Sequence, residues 1–90
     1  MNKARRKDIA KLVEKIQSLQ GDMELLLEEL ESIRDEEQEA FDNIPENMYG
    51  SERYEKAEMA VENLESAFDA FEEAKYAMDD IMSYLEEASE

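Results

Sequence analysis

Two apolar repeats, each spaced alternately three and four residues apart and separated by a single break, leave this chain very few folds. In the first half Ile9, Leu12, Ile16, Leu19, Met23, Leu26, Leu30, Ile33, Glu37 and Ala40 keep the spacing without a slip. In the second half Tyr54, Ala57, Val61, Leu64, Phe68, Phe71, Lys75, Met78, Met82 and Leu85 do the same. Taking Ile9 and Tyr54 as a positions, both runs are heptads with apolar residues at a and d, the pattern of a helix that packs along another helix. Glu37 and Lys75 are the only charges in the two seams.

The break, Phe41 to Tyr54, holds the only proline, Pro45, and one of two glycines, Gly50. Pro45 disfavours helical geometry at Ile44 and so sets a stop. Ser51 suits an N-cap, because its hydroxyl can accept from an orphan amide of the next turn, and Glu52 suits the positive end of the helix dipole. The pattern predicts one domain over residues 1–90, with a helix over about 4–42, a turn over about 43–50 and a second helix over about 51–88. Gly21 falls on the far side of the first stripe and weakens that helix by roughly 1 kcal/mol relative to alanine.

Two helices of this length, joined by a short turn, must lie antiparallel. The expected fold is all-α: an antiparallel two-helix coiled-coil hairpin. The charge distribution fits it. Residues 1–20 carry six bases against Asp8 and Glu14, whereas residues 21–90 carry four bases and 24 acids. Folding at the break sets the basic start against Asp79, Asp80, Glu86, Glu87 and Glu90. A two-helix hairpin has a seam and no closed core. Val13, Leu25, Leu27, Met59, Tyr76, Ile81 and Tyr84 are more apolar surface than one partner helix covers, so dimerisation into a four-helix bundle or a higher oligomer is expected, with Val13, Leu27, Ile81 and Tyr84 at the interface.

Composition removes most catalytic chemistry. There is no cysteine and no histidine, hence no thiolate, no imidazole ligand and no imidazole base. Apolar residues near the N-terminus are interspersed with charges, so neither a signal sequence nor a membrane span is expected, and the reading is of an intracellular protein. The net charge of −16 argues against direct binding to nucleic acid or anionic lipid. The carboxylates Asp35, Glu36 and Glu39 share a helical face in the manner of all-α nucleotide pyrophosphatases that hold magnesium. The best second half, Glu62 to Glu65, lacks the aspartate and carries Leu64 in the seam. A solvated acidic face is the stronger reading of this cluster. The methionines read as core filler. No cofactor and no enzymatic activity are expected.

Binding is the remaining class. Helix 2 places an acid in every heptad beside its seam, at Glu58, Glu65, Glu72, Asp79 and Glu86, with a row of small residues on the other side at Ala60, Ala67, Ala74 and Ala88, interrupted by Ile81. Spread along two helices, the 24 acids of residues 21–90 amount to one per roughly 2.4 Å of axis, against about 1.7 Å per charge in duplex DNA. Such a surface can occupy a basic groove, or it can serve solubility alone. The turn gathers Met48, Tyr49, Arg53 and Tyr54, which either pack over the hairpin end with Phe41 and Ile44 or meet a partner.

The stretch Glu36-Glu37-Gln38-Glu39-Ala40-Phe41-Asp42-Asn43-Ile44-Pro45-Glu46, followed by Gly50-Ser51-Glu52-Arg53-Tyr54-Glu55-Lys56-Ala57-Glu58, resembles the turn of a family of small acidic helical-hairpin proteins of bacterial phages, prophages and mobile elements. The basic start Asn2-Lys3-Ala4-Arg5-Arg6-Lys7 and the half beginning Val61-Glu62-Asn63-Leu64-Glu65-Ser66-Ala67 are similar too. The resemblance implies the cytoplasm of a bacterial host, where short acidic proteins inhibit defence enzymes such as restriction or CRISPR nucleases. It implies no active site. The expected function is therefore a non-enzymatic module that binds itself and a further protein, such as a basic nucleic-acid-binding enzyme. The alternatives are a structural coiled coil and, behind it, a magnesium-dependent nucleotide hydrolase.

Overall fold

A computed structural model describes all residues from Met1 to Glu90. It is all-helical: α1 spans Lys3–Asp42, a short 3-10 turn spans Glu46–Met48, and α2 spans Glu52–Ala88. The two long helices pack together as a hairpin, as the repeats predict. Residue contacts divide the chain into two compact units, Met1–Leu26 with Glu72–Glu90, and Leu27–Phe71. We call these the open-end unit and the tip unit.

In the open-end unit the start of α1 is capped by Asn2, whose side-chain oxygen accepts from the Arg5 amide at 2.8 Å. That cap satisfies one of the free N–H groups of the first turn. The helix runs through Gly21 without interruption. Within this unit α1 and α2 are antiparallel: the Arg6 guanidinium reaches the Glu90 carbonyl at 3.5 Å, and Gln20 donates to the Lys75 carbonyl at 3.1 Å and to Asp79 at 2.8 Å. The basic start thus lies beside the acidic end of α2, though no basic side chain of residues 1–20 forms an ion pair with it.

The tip unit contains the turn. Pro45 is extended, with φ −62° and ψ 148°, and the Met48 amide donates to its carbonyl at 2.9 Å. Tyr49 (φ −61°, ψ 135°) and Gly50 (φ 81°) then form the centre of a type II turn, closed by the Ser51 amide donating to the Met48 carbonyl at 3.1 Å. Its second central residue must have positive φ, which is why glycine stands there. Ser51 caps α2 as expected, its hydroxyl accepting from the Tyr54 amide at 3.2 Å.

The seam of α2 is the predicted one: every residue of the run from Tyr54 to Leu85 is buried or half-buried. The seam of α1 is the predicted one at its a row but not at its d row. Its shielded residues are Ile9, Val13, Ile16, Gln20, Met23, Leu27, Leu30, Arg34, Glu37 and Phe41, which are the a and e positions, together with Gln38 at b. The expected d row faces solvent instead: Leu12, Leu19, Leu26 and Ile33 are each about half exposed. Both choices satisfy three-and-four spacing. The e row prevails because Val13, Leu27 and Phe41 alternate with Gln20 and Arg34, long side chains that reach across to α2. Val13 and Leu27, expected at an oligomer interface, therefore lie inside the pair, and Val13 is among the most buried residues of the chain. Ile81 and Tyr84 remain exposed.

Candidate interaction surfaces

At the tip, sequence proximity becomes local packing. Tyr54 stands between Phe41 and Tyr49, with ring centroids 5.0 and 4.9 Å away and interplanar angles of 39° and 43°. Ile44 is buried beneath the turn and Met48 is half-buried. Of the four residues expected to meet a partner, Met48 and Tyr54 are thus committed in part to the fold, whereas Tyr49 and Arg53 face solvent. Beside them lies an open cleft of about 570 Å³ lined by Glu37, Ala40, Ile44, Arg53, Lys56 and Ala57, among others.

The tip unit also concentrates the charge. Residues 27–71 hold 15 acids and three bases, a balance of −12, leaving −4 for the open-end unit. Every one of those acids except the half-buried Glu37 is exposed. Of the bases, Arg34 lies 3.3 Å from Asp35 and 4.0 Å from Glu31 while its guanidinium carbon sits 4.5 Å above the Phe68 ring. Lys56 pairs with Glu52 at 3.0 Å, and Arg53 has no ion pair. Most of the carboxylates consequently have no cation beside them.

On α2 the acids are sorted around the helix. Glu58, Glu65, Glu72, Asp79 and Glu86 occupy the e row, and every other acid of α2 falls at b or f. The c and g rows carry none. Within the open-end unit these two rows are Ala74, Ala77, Ile81, Tyr84 and Ala88.

The seam lysine finds a partner inside the open-end unit. Lys75 Nζ lies 2.6 Å from Glu24 Oε1, and this hydrogen bond, with a smaller opposing effect of desolvation, raises the lysine pKa above its ordinary value. Lys75, one of the two seam charges, is thus paired with a carboxylate of α1 within the open-end unit. Gln20, Glu24 and Arg34 are the contacts that hydropathy does not reveal, since long polar side chains score alike in a seam and on a surface.

The carboxylates of the magnesium reading do not converge: no group of three or more acids is placed to hold a metal ion. No helix is long and apolar enough to cross a membrane. Comparison of the chain with protein-family models, curated proteins and solved structures finds no match.

Proposed function

We propose that this protein is a non-catalytic binding module whose tip unit presents an acidic surface to a basic protein, imitating the charge of nucleic acid. The observation that carries this reading is the balance of −12 confined to residues 27–71, most of it solvent-exposed and unpaired. Carboxylates left without cations attract a basic groove over distances set by the ionic strength. A nucleic-acid-binding enzyme of the host or of a phage is the partner class this chemistry suits. The resemblance of the turn to phage and mobile-element proteins gives the reading its setting, the bacterial cytoplasm, and its purpose, inhibition of a defence enzyme.

The module acts as a self-associating hairpin. Structural assembly is the second reading, favoured by the exposed leucines Leu12, Leu19 and Leu26, which a monomer leaves in water.

The test replaces Glu58, Glu62, Glu65 and Asp69 by their amides and compares capture of host proteins with that by the wild type across a salt series. The captured protein is then assayed for nucleic-acid binding with each hairpin present. Competitive loss of that binding, abolished by the amide variant and by salt, is the expected result. Capture that survives both would overturn the charge mechanism, because exposed charges are screened within about 3 Å at 1 M salt.

A further inference from the structure

The apolar rows of α1 exceed what α2 covers. Contacts between the e rows (Gln20 to Asp79) and from Lys75 to Glu24 at a b position fix one side of the open-end seam. The opposite side must then present the d row of α1 and the g row of α2, flanked by the c row of α2. That face carries Leu12, Leu19 and Leu26, exposed by 46, 54 and 51 %, beside Ala74, Ala77 and Ile81. It has a ridge of leucines on one helix and an acid-free strip of alanines broken by Ile81 on the other.

We propose that this face docks a second copy of the chain, with α1 of each copy lying over α2 of the other and both N-termini at the same end. The inference rests on the self-association in the function proposed above and names its surface and geometry. Three observations carry it. First, the ridge and the strip are both apolar, and a two-fold axis parallel to the helices places each ridge on the other copy's strip.

Second, the edges of the face are complementary in charge. Lys11 and Lys15 lie along the outer edge of α1 beside the d row, and Asp80 and Glu87 along the outer edge of α2. The same axis sets the lysines of one copy against the acids of the other. Stacking α2 on α2 would instead set acid on acid.

Third, the chain exposes 6794 Å², whereas a globular monomer of this mass exposes about 5,400 Å². The excess is larger than the roughly 800 Å² per copy that a stable dimer buries.

The chain has no cysteine, so Asn2→Cys gives one spin label per copy. Sedimentation equilibrium at micromolar concentration, with the label-to-label distance from pulsed electron paramagnetic resonance, tests the proposal. The expected result is a dimer with labels within about 25 Å, where an end-to-end α1–α1 arrangement centred on Leu19 would separate them by about 50 Å. Leu19→Asp, and independently Ala77→Glu, should give monomers that keep their helical circular dichroism. Lys11→Glu should weaken the dimer by about tenfold, two symmetry-related exposed pairs being lost, and Glu87→Lys in the same chain should restore it. A monomeric wild type overturns both this inference and the self-association it rests on, leaving the acidic surface standing. A dimer indifferent to Leu19→Asp and Ala77→Glu, or with labels about 50 Å apart, overturns only the face and its geometry.

Discussion

Lys75 of α2 reaches across the open-end unit to place its ammonium 2.6 Å from the Glu24 carboxylate of α1. Raising a lysine pKa means that the folded chain holds the proton more tightly than the unfolded one. Its contribution is complete below the ordinary lysine range near 10.4 and disappears as pH rises through the raised folded value. The melting temperature of the wild type should therefore fall more steeply above about pH 10.4 than that of Glu24→Gln. Thermal melts of the two chains between neutral pH and pH 12 measure this, and their difference isolates the pair from other groups titrating there. Parallel curves would show that the contact adds nothing to stability.

Tyr54 is the hinge pin of the tip, between two rings and half-buried. Tyr54→Ala should destabilise the chain by about 2 kcal/mol, through lost burial and two lost ring contacts. Tyr49→Ala should cost less than about 1 kcal/mol, since that ring is largely in water. Urea titrations rank the two. If Tyr49 instead meets a partner, its loss should abolish capture with the urea midpoint unchanged.

The two glycines predict opposite signs. Gly50 stands at φ 81°, where a β-carbon is strained by about 1 kcal/mol, so Gly50→Ala should lower the melting temperature. Gly21 lies within α1, and a β-carbon built there meets nothing within 4 Å. Gly21→Ala should stabilise by about 1 kcal/mol through helix propensity alone. Calorimetry of both variants gives the signs directly. Destabilisation by Gly21→Ala would mean that α1 depends on flexibility there.

How far the sequence reveals this structure differs between the two helices. On α2 an acidic row and an alanine row flank a single stripe of large residues, so only one seam is available, and it is the one the chain uses. On α1 the a, d and e rows are all rich in apolar residues. Spacing alone favours a and d, while the fold takes a and e, because Gln20 hydrogen-bonds the Lys75 carbonyl and Arg34 covers Phe68. Nothing in the hydropathy of a glutamine or an arginine marks it as a seam residue. The turn is the most legible part: Pro45, Gly50 and Ser51 each have one conformational role, and each performs it. The acidic surface is visible as composition, but its concentration in residues 27–71 depends on which segments pack together.

Charge repulsion should make the tip unit the weaker of the two at low salt. It holds −12 against −4, and its few ion pairs involve exposed carboxylates, where each contributes at most about 1 kcal/mol. Raising ionic strength from about 0.01 M to about 1 M shortens the screening length from about 30 to about 3 Å, which removes repulsion between successive carboxylates while weakening only those few pairs. The melting temperature should therefore rise with salt. Amide hydrogen exchange at low salt should be faster in the helical residues of the tip unit than in the open-end helices, and the difference should narrow as salt is added. A melting temperature that falls with salt would mean that the attractive pairs outweigh the repulsion, and that the acidic surface carries no stored strain for a basic partner to relieve.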